Sequence, residues 1–435
     1  MNLNPSALEK KTFILHLISQ LFNGIAIGVI LLQDIILKKS LGGTNFEIML
    51  LALLTHSVFL TSMYGSEIVN RSSNRSKSII LIGFSGNFFL ILLPFIDNSW
   101  FYVMCLVINS FASSLLLSIW NIAFKHNYTE LNRSRLFSYV SSFQIAVVLI
   151  TTTIFGNFLD INAGLYKIMF PAAGICGMVT YYYLAKMISL SMDDYKGRVN
   201  TLKPYFTLND YKDILILPGR DLYRILSSNK PFLRFEIYFF LYGMAFMIII
   251  PVVPVFLVDN LHLTYSPISF AKGLVFQSTL IIFTPLMGRY HGRGSPAKFC
   301  GYVFLLLALY PASLVSAMYL NFNSEIIVYI SYFFFGLAMS GIGIAWSLST
   351  IYYAPKNEVS SYQAAHITLT GLRGLFSPAL GYLVMTFFAI EYAFFLSVIL
   401  FILGGVFMFK EARIETNKIL SSHLTHSERN PDLSG

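Results

Sequence analysis

Few side chains in this sequence carry charge. Asp, Glu, Lys and Arg make up 12% of its 435 residues, against 56% hydrophobic, where a soluble domain is about one quarter charged. That balance excludes an ordinary soluble globule, because the apolar stretches are too many and too long for a soluble core. Cysteine is scarcer still. Cys105, Cys176 and Cys300 all lie within apolar stretches, which excludes a disulfide framework. The glycine-rich phosphate-binding loop of an ATP-driven pump is absent. His16 and His56 lack metal-ligand spacing, and His423 and His426 fall in a polar tail expected to be disordered. An enzyme built into the membrane would need a catalytic cluster near one membrane face. The chain is therefore read as a non-enzyme with no metal and no cofactor.

What the chain has in quantity is apolar helix. A hydrocarbon core of about 30 Å needs roughly 20 helical residues. On that basis the sequence predicts spans near 12–37, 45–66, 77–96, 101–124, 136–159 and 165–187, then 232–258, 266–288, 298–319, 325–353, 359–387 and 392–410. The fold class expected is all-α and integral to the membrane. Residues 1–187 form one six-helix bundle, 188–231 a polar linker, 232–412 a second bundle and 413–435 a tail. The polar start 1–11 runs directly into a full-length span, so no cleavable signal peptide is expected.

The basic residues orient this arrangement. Of thirty Lys and Arg, only Lys272 and Arg373 lie well inside spans, and Lys38, Lys39 and Lys167 fall in one set of alternating connections. All the others fall in the opposite set, with both termini. Positive residues favour the cytoplasmic side, so the termini, the linker and the loops after spans 2, 4, 8 and 10 are expected to be cytoplasmic, in a bacterial inner membrane. The net charge of +9 then points to anionic lipid as partner and not to nucleic acid.

The halves repeat at an offset of about 220–226 residues, the construction expected of a secondary transporter. Asp34 and Asp259 close spans 1 and 7, Trp120 matches Trp346, and the loop Ser66–Lys77 matches Gly288–Lys298. Six plus six spans with a long central loop and basic loops after spans 2 and 8 resemble the major facilitator superfamily over residues 10–412. That family's Gly-x-x-x-Asp-Arg-x-Gly-Arg-Arg signature survives in part, as Ser66, Asn70, Arg71 and Arg75 in one half and Gly288, Gly292, Arg293 and Lys298 in the other, with both acidic positions lost. The resemblance implies two bundles rocking about a central cavity lined by spans 1, 4, 7 and 10, with 2, 5, 8 and 11 between bundles. It assigns Arg71, Arg75 and Arg293 to conformational change.

Two polar stripes stand out on the candidate cavity helices. His16, Gln20, Asn23 and Asp34 fall within one narrow sector of span 1 at roughly 100° per residue. His366, Thr370, Arg373 and Ser377 do the same on span 11. Lipid offers such stripes no partner, so each must face protein or water. Arg373 lies roughly 22 Å along the helix from Glu358, too deep to reach a surface, and no acidic residue is expected at its depth. A cation in that position marks a binding or gating role. Gly374 and Pro378 beside it suit a flexing helix, and Pro251 is expected to bend span 7 near the outer gate. If Lys272 shares the cavity its field is positive, which favours an anionic solute. Arg373, Lys272, His366, Thr370, Gln20 and Asn23 are thus the expected substrate contacts, with His366, His56 and Asp34 as proton-coupling candidates. The function expected is secondary transport of a small organic anion, coupled to protons. A drug or metabolite exporter, suggested by the 16% aromatic content, and a non-transporting sensor or membrane enzyme are the alternatives.

Overall fold

A computed structural model describes residues 6–72, 74–190, 219–291, 295–320, 323–355 and 358–429, leaving undescribed the side chains at 63, 66, 67, 70, 71, 130, 131, 134, 351, 360 and 418–429. Among these residues the regular backbone is helical throughout. Lipid cannot satisfy an exposed peptide group, so a chain this apolar closes its hydrogen bonds within helices. Ten segments are long and apolar enough to cross a membrane. The second and eleventh spans stand outside those ten because each runs as shorter pieces. Span 2 runs as Asn45–Ser57, a 3₁₀ turn at Val58–Thr61 and Ser62–Arg71. Span 11 runs as Val359–Gly374 and Ser377–Phe387.

Spans 3, 4, 5 and 6 are Arg75–Leu92, Ser99–Asn127, Glu130–Ile161 and Tyr166–Leu190. Spans 9, 10 and 12 are Pro296–Ser316, Ser324–Tyr353 and Ile390–Arg429. Spans 1, 7 and 8 break toward one side of the molecule. Span 1 is Ala7–Ile30 followed by Gln33–Lys39. Span 7 is Lys230–Ile249, then Val252–Val255 and a π-helical turn Phe256–Asn260. Span 8 starts as Tyr265–Ser269 with a π-helical segment Phe270–Val275 before Phe276–His291. The break at Ile250 and Pro251 lies where proline removes a backbone donor. In span 11 the break precedes Pro378, which sits in the first turn of the second piece, a position it tolerates. Pro378 therefore starts a helix here and does not bend one.

Two helix ends differ most from the sequence reading. Span 5 begins six residues earlier than expected because Glu9 ties it to span 1: its carboxylate accepts from Thr129 N, Thr129 Oγ1 and Asn132 Nδ2. Span 12 continues helically through Arg429, so 413–435 is not wholly an unstructured tail. Glu411, fully buried, takes two bonds from Arg234 at 2.6 and 2.7 Å. Glu415 accepts from Tyr353 Oη and Ser295 Oγ.

The helices pack as two pseudo-symmetric bundles. Span 1 lies against 5 and 6, 3 against 4 and 6, and 2 against 4; span 7 lies against 11 and 12, 9 against 10 and 12, and 8 against 10. Lipid tails are as apolar as leucine, so this packing rests on close van der Waals fit between helices. The bundles meet along two seams, span 5 on span 8 and span 2 on span 11. Glycine permits both. A Cβ on Gly156 would stand 1.7 Å from Ser269 Oγ, and one on Gly374 would stand 2.9 Å from the His56 backbone carbon. At the 96–98 turn, hydrogen bonds from Lys167 and Tyr166 hold the exposed Asp97 carboxyl below its usual range.

Candidate functional site

Between the bundles, on the side of the chain termini, lies a cavity of about 560 Å³. Its walls come from the parts of spans 1, 2, 4, 5, 10 and 11 nearest the termini. Gln20 and Asn23 line it with His16, so three members of the span 1 stripe share one face as expected. Asn23 Nδ2 donates to Gln20 Oε1 at 2.9 Å. The repeat-related Trp120 and Trp346 face the cavity from opposite bundles, joined by Asn121, Ser141, Gln144 and Gln363. His16 is 1% exposed, with its ring among those of Trp120, Phe124, Tyr128 and Phe137. Lys, Arg, Asp and Glu are missing from the described lining.

The side away from the termini is closed by polar contacts between bundles. Lys272 Nζ donates to both oxygens of Asp34 at 2.7 Å and to Leu31 O at 3.2 Å. Asp34 is the fourth member of the span 1 stripe, but the break after Ile30 carries it away from the large cavity. Lys38 pairs with Asp259 at 2.7 Å, Lys39 donates to Leu263 O at 2.6 Å, and Ser40 Oγ meets Tyr265 Oη. Asp160 accepts from the backbone N–H groups of Tyr265 and Ser266 at 2.7 Å, capping span 8 from span 5. Lys272, read from the sequence as a cation that would make the cavity positive, is instead paired with a carboxylate on the other bundle, where a reading span by span does not look. Lys272 also sits in a π-helical segment, an irregularity frequent at functional sites. Two small cavities of about 230 and 160 Å³ flank the pair. The first is lined by Asp34, Lys272, Gln33 and His56, and the second by Tyr310, Tyr332 and Phe335. His56 Nδ1 donates to Ala52 O at 2.7 Å, and Ile250, beside Pro251, lines both cavities.

The span 11 stripe is buried as a unit, but against span 7 within its own bundle. His366 Nδ1 is 2.9 and 3.0 Å from the carboxylate oxygens of Glu236. Arg373 donates through Nη1 to Phe239 O at 3.0 Å and through Nη2 to Thr370 Oγ1 at 3.2 Å. Its guanidinium lies over Phe239 and Tyr242 and fills the space beside Gly243. Thr370 also accepts from Trp346 Nε1 at 3.5 Å. None of His366, Thr370 and Arg373 lines the large cavity; Gln363 and Ile367, on another face of span 11, do. No carboxylate bonds Arg373 among the described residues; the acid of this cluster, Glu236, partners His366 instead. Its signal was present in the sequence, since Glu236, Phe239 and Gly243 share a face and the glycine leaves room for a long side chain.

Of the remaining expected residues, Arg75 is buried at the start of span 3, the Arg71 side chain and Arg293 lie outside the described residues, and Gly374 packs on His56 at the seam. The anion expectation loses its ground in this geometry. One of its two cations is paired with a carboxylate, and the other is turned into a bundle.

The sequence model of the Major Facilitator Superfamily matches residues 12–372 and 235–429. The chain belongs to that superfamily and is a multi-pass integral membrane transporter. No curated protein sequence matches it. Among solved structures it is similar to a POT family transporter in complex with 5-aminolevulinic acid (13% identity, TM-score 0.70, covering 93% of this chain and 96% of that one). It is also similar to the nucleoside transporter NupG (13%, 0.61, 93% and 98%). A third likeness is to a bacterial homologue of the iron transporter ferroportin in an inward-facing state (12%, 0.64, 93% and 98%). At these identities the likeness establishes the fold alone.

Proposed function

We propose that this protein moves a small polar organic solute by alternating access, with the Asp34–Lys272 pair as its proton-sensitive latch. The observation that carries the reading is the asymmetry between the two sides. The bundles are tied together by cross-bundle bonds on one side and separated by a solute-sized cavity on the other. Opening the closed side must part Asp34 from Lys272, because they stand on different bundles. A proton on Asp34 removes the charge attraction before the bundles separate and so favours opening. The other titratable groups facing the pair among the described residues are His56 from span 2, Tyr102 from span 4, and Tyr310 and Tyr332 from spans 9 and 10. Lys38 and Asp259 neutralise one another toward the surface. The orientation that fits is the one with termini in the cytoplasm, so the cavity faces inward and protons arrive from outside.

Uptake into proteoliposomes under an imposed pH gradient, over a panel of labelled sugars, nucleosides, amino acids and carboxylates, tests this. The wild type should accumulate at least one class when the gradient is present. Asp34→Asn should still exchange that solute across the membrane but lose most gradient-driven accumulation. Full accumulation by Asp34→Asn would remove the latch from the coupling scheme, and no flux of any class would remove the transport reading.

A further inference from the structure

We infer that the solute is uncharged and ring-shaped, with one apolar face and hydrogen-bonding edges, and that it stacks on Trp120 in the large cavity. This deepens the transport reading and rests on it only for the direction of movement, not for binding. The first ground is the charge inventory. Apart from His16, every described side chain lining the cavity is uncharged. A charged solute would leave water there for no formal counter-charge, which is expensive in a low-dielectric enclosure.

The second ground is how the hydrogen-bonding groups are committed. On the span 10 and 11 wall they are used up: Gln363 accepts from Thr350 Oγ1 at 2.5 Å and donates to Trp346 O at 3.3 Å, and Trp346 spends its N–H on Thr370. On the opposite wall they are not. The Ser118 hydroxyl is buried with no partner among the described residues. Asn121 and Gln144 line the cavity beside it, and among the described residues no side-chain partner is found for either amide or for the Trp120 indole N–H. Leaving the buried Ser118 hydroxyl unmet costs about 1–3 kcal/mol, while Asn121 is exposed and Trp120 and Gln144 are half-buried, so this wall presents free donors and acceptors to a solute. The third ground is shape. Trp120 and Phe124 lie 5.9 Å apart with their planes inclined by 34°, and Phe137 meets Phe124 edge-on at 5.2 Å, so the Trp120 ring itself is the broad apolar face on that otherwise polar wall. Aromatic faces stack on the C–H face of a sugar or the π face of a nucleobase alike. Those two sources share the chemistry, and the volume of about 560 Å³ admits either.

The test is binding by the purified full-length chain in detergent, read by quenching of intrinsic tryptophan emission and by thermal shift. Its arms are monosaccharides, nucleosides, an acyclic dicarboxylate and a quaternary ammonium compound. One of the first two arms should bind. For that ligand Trp120→Phe should weaken affinity about tenfold, as for one lost hydrogen bond with stacking kept, and Asn121→Ala by a similar factor. Trp120→Ala should abolish that binding, and should it fail to fold, those two milder variants decide the matter alone. Preferential binding of the dicarboxylate or the ammonium compound overturns the inference. So does silence of both ring arms at millimolar concentration, or ring binding untouched by both milder variants. Ring binding without uptake into proteoliposomes would support this site and count against transport.

Discussion

A guanidinium inside a membrane protein needs acceptors wherever water is excluded, and Arg373 finds two of them within its own bundle. The planar fork spans Phe239 O and Thr370 Oγ1 at once, which an ammonium on a flexible stem cannot do in the same geometry. Thr370 in turn receives the Trp346 indole. Arg373 thus acts on the cavity wall through Trp346 and touches no group that lines it directly. Arg373→Lys is therefore expected to lose one hydrogen bond, about 1 kcal/mol, and to lower the thermal midpoint by a few degrees. Solute selection should be unchanged, as checked by competition in the uptake assay. A switch in preferred solute charge would put the guanidinium back in the binding site. The His366 and Glu236 pair one to two turns away belongs to the same contact of span 11 with span 7. Helical spacing made the shared face of His366, Thr370, Arg373 and Ser377 legible, because angle along one helix is a local property. Which neighbour that face meets is set by how the helices of its own bundle pack, and spacing carries no information about it.

At the scale of elements, the seams between bundles depend on residues with nothing to present. Gly156 admits Ser269, and Gly273 lies against Thr152 and Thr153. Both contacts join span 5 to the irregular first half of span 8, where Lys272 sits. Gly156→Leu would drive the two helices apart on the closed side. The expected outcome is faster labelling of a cysteine at Gln33 by a membrane-impermeant maleimide added from the face opposite the termini. Gly343→Ala, with no atom within 4 Å of the added carbon, should label at the parent rate. Equal rates in all three proteins would mean the seam tolerates a side chain. The number and order of the spans were readable from hydropathy because each is a continuous run. The breaks after Ile30 and before Ser377 were not, since no proline stands in the first and Pro378 only follows the second. The continuation of span 12 was hidden by its polar sequence, which folds as helix because Glu411 and Glu415 have partners on spans 7 and 10.

For the whole molecule, the duplication seen in the sequence becomes a pair of matching bundles whose equivalent parts meet at the closed side. Asp34 ends the first repeat's leading span and faces Lys272 of the second repeat. Asp259, its equivalent, faces Lys38 of the first. Such crossed pairing lets two small sets of charges hold one side shut while Trp120 and Trp346 remain apart across the open cavity. Alternating access requires these contacts to break in every cycle. The most direct measurement is a reversible cross-link through the seam. Thr152 Cβ lies 3.1 Å from the position of a Cβ on Gly273, close to the roughly 3.5–4.5 Å that a disulfide needs. Thr152→Cys and Gly273→Cys are combined after replacing Cys105, Cys176 and Cys300, and the bond is verified by mass spectrometry. Oxidation should stop solute uptake into proteoliposomes, and reduction should restore it. Undiminished uptake by the fully cross-linked protein would contradict the account.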